Sequence, residues 1–252
     1  DVERSRGLGD VYKRQIYDIT MSKTQFSQLD TLNRITNHLI MSSNSIQDIG
    51  LYYGKLGIIA FFYHYSRFVQ KTIYEKFADE LLDEVCETVH EQLPCDLANG
   101  YCGIGWTVEY LFKQKFIKGN TYEILRNIDE KVMERDTRRI TDKSLASGIE
   151  GIFLYVLVRL TTHPLDILFD KNYLNELYDI AKIIQKEDEE EHVFLNNYIK
   201  WFEGKIIESD IFSLRSCLNL SDTLLYKGNI WNCGIGLKDG CAGIGMKLMM
   251  EI

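Results

Sequence analysis

Cys102 and Cys241 sit inside two copies of one short motif. Asn99–Trp106 reads NGYCGIGW and Asp239–Met246 reads DGCAGIGM: a polar residue, Gly, two variable residues, Gly, Ile, Gly and an apolar residue. The cysteines occupy neighbouring slots, the second variable position in one copy and the first in the other. Two thiolates and an imidazole, here that of His64, would make a catalytic zinc site with an open fourth position if the fold brought them to one point. Trp106, Glu109 and Tyr110 follow the first cysteine, and Glu150 lies in a third copy of the motif, ASGIEGIF. Two carboxylates across a pocket could do the acid and base work of glycoside cleavage. Arg138 and Arg139, in ERDTRRITDKS, could hold a peptide carboxylate or an acidic substrate, with Asp142 orienting one of them.

Each of these residues also has a plainer role. Small thiols pack well beside glycines. His64, within FFYHYSRF, suits a satisfied core or rim histidine. Glu150 near a helix start complements the helix dipole. The arginine segment reads as a solvated loop, and KEDEEEH at Lys186–His192 as an exposed connection.

The motif occurs four times. Its first glycines are Gly54, Gly100, Gly148 and Gly240, and its second are Gly57, Gly103, Gly151 and Gly243. The first glycines are spaced by 46, 48 and 92 residues, the last being twice 46, and a fixed period in this range marks a repeat architecture. A degenerate fifth copy is expected near residue 194. His192–Gly204, HVFLNNYIKWFEG, has the apolar content there without the two leading glycines.

Two kinds of helix are expected to alternate. After each glycine motif comes a stretch apolar nearly all round, such as Ile152–Val158, which requires burial on most sides. Between them run amphipathic stretches: Phe77, Leu81, Val85 and Val89; Ile124, Ile128 and Val132; Tyr173, Leu177, Ile180, Ala181 and Ile184. Further outer helices are expected over Phe26–Ile40 and Ile211–Leu225. One outer helix, a glycine turn and one inner helix make a unit that cannot bury its own apolar face, so neighbours must stack. The expected fold is all-α, an α/α toroid or partial toroid of about five helical hairpins. The first glycine of each motif is expected to make a tight turn with positive φ, and the second to admit close helix contact. No strand pattern precedes any copy, which disfavours a phosphate-binding loop.

Bulk properties narrow the function. The chain has 252 residues, 45% of them apolar, with two prolines, six cysteines and a net charge of −8. The charge argues against nucleic acid or an anionic membrane as the main partner. No apolar stretch is long enough to span a membrane, no secretory signal is recognisable, and the cysteine spacing is not that of a disulfide framework; a cytoplasmic protein with reduced thiols is expected. Residues 1–15, DVERSRGLGDVYKRQ, have no apolar periodicity and resemble translated adaptor sequence; they are expected to be non-native or disordered, with residues 16–252 forming one domain.

With G-x-x-G-I motifs heading apolar helices, the chain resembles the lanthionine synthetase C-like family. LYYGKLGIIAFFYHYSRF, LANGYCGIGWTVEYL, SLASGIEGIFLYVLVRL and GLKDGCAGIGMKLM carry the resemblance, from Leu51 onward. It looks most like the short members found in Bacteroides-type gut bacteria. The resemblance implies an α/α toroid. The best-understood members cyclise peptides, a zinc-bound substrate thiolate adding to a dehydrated Ser or Thr to form a thioether. The family supplies its zinc ligands as a cysteine in a Trp-Cys-Tyr-Gly-like segment and a later Cys-His-Gly. This sequence has no Cys-His pair. IWNCGIG at Ile230–Gly236 echoes the first segment but lies in the last motif, where the family places neither ligand. No zinc ligand carries over, and no cofactor is expected. The expectation is a zinc-free accessory that binds or positions a peptide, with peptide-modifying or export proteins as partners. A carboxylate-dependent hydrolase and a non-catalytic interaction scaffold are the alternatives.

Overall fold

A computed structural model describes residues 28–165, 167–188, 190–207, 210–215, 231 and 233–251. The first fifteen residues, and residues 216–225 of the expected helix Ile211–Leu225, lie outside them. The described structure is all-helical, and no strand occurs among these residues. We number the helices α1 (28–43), α2 (Lys55–Val69), α3 (Ile73–Thr88), α4 (Tyr101–Lys113), α5 (Thr121–Ile124), α6 (Arg126–Met133), α7 (Ile149–Thr162), α8 (Lys171–Glu187), α9 (Val193–Phe202) and α10 (Cys241–Glu251).

Inner and outer helices alternate as the periodicity requires. Every residue of α7 from Ile149 to Leu160 is buried, whereas α8 buries only Tyr173, Leu177, Ala181 and Ile184, one stripe spaced by three and four. The expected stripe through Ile124, Ile128 and Val132 is interrupted. The helix breaks at Leu125, so Ile124 is 56% exposed while Ile128 and Val132 stay buried.

The inner helices α2, α4, α7 and α10 each start directly after the first glycine of a motif, and α9 starts at Val193, where the degenerate copy is expected. They pack side by side in the order α10, α2, α4, α7, α9, so among the described helices α10 lies against α2.

The glycines act through space rather than handedness. The φ angles of Gly54, Gly100 and Gly148 are −112°, −117° and −104°, which corrects the expected positive φ. A Cβ on any of the three would collide with the backbone carbonyl six residues earlier, at Asp48, Pro94 or Asp142. The turn folds this tightly because its carbonyls serve the helix it precedes. Lys55, Tyr101, Ile149 and Cys241 each donate their N–H to the carbonyl seven residues back, at 2.9, 2.9, 3.0 and 2.6 Å. These bonds satisfy a helix-start donor that a side-chain cap would otherwise take, and α2, α4 and α7 have no side-chain cap.

The turns also join one another. Lys238 donates to the Tyr52 carbonyl, Tyr52 to Ala98 and Ala98 to Ala146, at 3.0, 3.0 and 2.9 Å. These four residues hold the same place, two before the first glycine. A leucine stands three before it in every copy: Leu51, Leu97, Leu145 and Leu237. The second glycine of one unit receives the leucine of the unit before it. A Cβ at Gly57 would meet Leu237 at 3.0 Å, and one at Gly151 would meet Leu97 at 2.9 Å.

Candidate functional site

At the N-terminal ends of the inner helices, a cleft of about 890 Å³ opens between the turn before α7 and the segment leading into α9. Glu150, one residue into α7, lies in its wall. Oε1 of Glu150 accepts the N–H of Phe194 at 2.6 Å. Its Oε2 is buried without a hydrogen bond, 3.7 Å from Nδ1 of His192. The other ring nitrogen of His192 is 3.2 Å from Asp188, and the same Asp188 oxygen is 2.8 Å from the Lys143 ammonium. Lys143, Asp188, His192 and Glu150 therefore form a row along one cleft. Burial pushes the Glu150 carboxyl above its ordinary range, partly offset by the backbone donors of α9. The hydrogen bond from Lys143 holds Asp188 well below it. Such a row can accept a donor group of a ligand at the Glu150 oxygen that lacks a hydrogen bond.

Glu109 has different surroundings. It is fully buried on α4 and bonds Arg159 of α7 at 2.5 Å. Arg159 also forks onto Asp129 of α6, through Nε at 3.0 Å and Nη2 at 2.5 Å, and donates to the Thr121 carbonyl at 3.2 Å. Tyr155 donates to Asp129 at 2.6 Å. His163 approaches Glu109 at 3.3 Å and Thr121 at 2.8 Å. Glu109 is thus part of an internal ionic network and is absent from the wall of the Glu150 cleft, so the carboxylate pair read from the sequence does not share a cleft.

His64, Trp106 and Tyr110 do come together, but as packed core. Trp106 is fully buried, stacks on Tyr110 with centroids 5.1 Å apart, and donates to the Ile211 carbonyl at 3.0 Å. Tyr110 and His64 share a hydrogen bond of 2.5 Å. Burial, with a smaller push from Arg67, lowers the His64 imidazole to about 4.

The cysteines pair with other cysteines. The Cys102 thiol lies beside that of Cys95, and the Cys241 thiol beside that of Cys233. Burial raises both inner thiols, Cys241 to about 12. None of the described cysteines is in a disulfide. Among the described residues no three His, Cys, Asp or Glu side chains converge as metal ligands. Cys102, Cys241 and His64 therefore do not assemble the two-cysteine, one-histidine set of a catalytic zinc.

Arg138 and Arg139 lie on a 3₁₀ turn, Thr137–Arg139, with side chains 66% and 86% exposed. Both pair with Asp136, at 3.0 and 3.2 Å. Asp142, expected to orient one of them, instead accepts the Ser144 N–H at 2.8 Å.

Asp188 and His192 are the cleft residues that sequence reasoning missed, since they fall in the run read as an exposed connection. A usable signal was there. The only histidine of that acidic run stands directly before the degenerate inner helix, where the other units place their glycine turn.

An all-helical repeat with glycine turns heading buried inner helices defines a class, and the sequence comparison gives the family. The model for lanthionine synthetase C-like proteins matches residues 15–206, about three quarters of the chain, and the chain belongs to that family. No curated protein and no solved structure gives a significant match.

Proposed function

We propose that this protein is a zinc-free cytoplasmic accessory of peptide maturation or export, which binds a peptide at the mouth formed by the N-terminal ends of its inner helices and positions it for a modifying or exporting partner. The observation that carries this reading is the 890 Å³ cleft holding Glu150 and His192, in a member of a family whose best-understood proteins act on peptides. Its buried, hydrogen-bond-free Glu150 oxygen suits a backbone or side-chain N–H of a bound peptide. The test uses the full chain, purified without a metal-binding tag, and a dehydrated, cysteine-containing precursor peptide. The reading expects saturable binding by fluorescence anisotropy, weakened by Glu150→Gln, an unchanged titre of peptide thiol, and no stoichiometric zinc by elemental analysis. Steady loss of peptide thiol, with one equivalent of zinc, would replace it with cyclase chemistry.

One observation favours a hydrolase as the second reading. Glu150 is a carboxyl raised by burial beside an imidazole, and a carboxyl raised above its ordinary range holds its proton to higher pH, as a general acid must. Hydrolysis of a glycan or peptide panel, abolished by Glu150→Gln in a folded protein, would establish it.

A further inference from the structure

A second cleft lies at the opposite ends of the inner helices. It holds about 640 Å³ between the C-terminal ends of α4 and α7, roughly 20 Å along the helix axis from the Glu150 mouth at 1.5 Å per residue. Its apolar wall comes from Phe112, Ile117 and Phe212. Lys113, Lys115 and Lys118 stand around it, all exposed. Among the described residues no carboxylate lines it and none forms an ion pair with these three lysines. In a protein of net charge −8 this is a local concentration of positive charge beside apolar surface. The turn that carries it is fixed. Lys115 takes the left-handed conformation, φ 59°, at the end of α4, where glycine is the ordinary choice. Its carbonyl accepts Arg67 at 2.8 Å, and the Arg67 guanidinium lies 3.6 Å over the Phe116 ring. The Lys113 ammonium is 5.1 Å from the Phe212 ring centre.

We infer that this cleft docks an acidic peptide segment in which carboxylates alternate with large apolar side chains. The apolar wall receives the side chains, and the three unpaired ammonium groups receive the carboxylates, an arrangement that gives charge selectivity and faster encounter. Residues 1–27 and 216–230 carry no excess of carboxylates, so their composition does not match an acidic occupant. A concave recess suits a peptide better than the plane of a membrane. The site shares no residue with the Glu150 mouth, so it stands apart from the function proposed above.

The test is fluorescence anisotropy with the full chain and three labelled 15-residue peptides: one alternating Asp or Glu with Leu or Phe, its lysine-for-carboxylate inversion, and a neutral polar control. The acidic apolar peptide should bind at least tenfold more tightly than either of the others, with affinity falling as salt rises. Lys113→Glu/Lys118→Glu should reduce that affinity at least tenfold at an unchanged thermal midpoint, since both side chains are exposed. Glu150→Gln should leave it within twofold. Equal binding of the acidic and inverted peptides would overturn the inference. So would a double variant of unchanged affinity, or loss of acidic-peptide binding in Glu150→Gln alone, which would place that binding at the mouth. Sedimentation with phosphatidylglycerol vesicles but no peptide binding would overturn it in favour of a lipid surface.

Discussion

Glu150 of α7 accepts the N–H of Phe194, the second residue of α9, at 2.6 Å. A side chain from one repeat thus closes the start of the next. The four glycine turns supply carbonyls to their own helices, and the degenerate fifth unit has no such turn. His192, its N-cap residue, offers no side-chain bond. The neighbour's carboxylate fills the vacancy, which explains an acid buried among apolar residues at the head of α7.

Replacing Glu150 with alanine should therefore lower stability by about 1–3 kcal/mol, the range for a buried donor left unsatisfied. Glutamine keeps one acceptor and should cost less. The carboxyl is raised in the folded state, so its contribution is full below the ordinary glutamate range and fades as pH rises through the raised value. Thermal midpoints against pH for wild type and Glu150→Gln should diverge upward of that range. Parallel curves would show that Glu150 does not titrate differently on folding.

His64 gives the opposite slope. Its folded-state value is about 4 against an ordinary 6.5. The unfolded chain takes up a proton first, so stability is full above about 6.5 and falls as pH drops toward 4, by up to about 3 kcal/mol. His64→Gln should flatten this part of the profile, read by urea denaturation at pH 7 and pH 5.

The Arg159 network has no solvent to fall back on. Arg159→Ala leaves Glu109 and Asp129 as uncompensated buried charges and should cost about 3–5 kcal/mol. Arg159→Lys should not restore the loss, because a single ammonium cannot reproduce the fork onto Asp129 while reaching Glu109. A denaturation midpoint for Arg159→Lys equal to wild type would show that charge alone suffices.

Alanine at Gly103 or Gly151 should destabilise by about 1–3 kcal/mol through crowding. At Gly151 the new Cβ would stand 2.6 Å from the Leu145 carbonyl and 2.9 Å from Leu97. Helix propensity alone favours alanine over glycine by about 1 kcal/mol, so the sign of the measured change separates the two effects.

The inner helices were readable because their cause is local. A glycine pair at fixed spacing followed by an apolar run predicts where α2, α4, α7 and α10 begin, and the period alone located α9. The turn geometry was less accessible. The leucine before each glycine pair recurs visibly in all four segments, but its seat against the next unit's glycine is a contact between repeats. The Arg159 network left one trace: apart from Glu150, Arg159 is the only charge in α7, and a charge in a fully buried helix must be paired. Its partners could not be read, since Glu109 and Asp129 come from two other helices. The same limit applies to Glu150, whose acceptor role depends on the place of a helix from the following unit.

The bond between Lys238 and Tyr52 joins residues 186 positions apart. In an open array of repeats, each unit touches only its sequence neighbours and folding can spread from any of them. Here α2 has α10, which follows it by about 190 residues, as a side neighbour. A chain emerging from the ribosome can form the units through α9 and still leave α2 bare on the face that α10 covers, an exposed apolar surface of the kind that invites aggregation. Covering that face waits for the segment that carries α10, and this pairing is far more distant in sequence than the contacts between successive units, the kind of contact that slows folding.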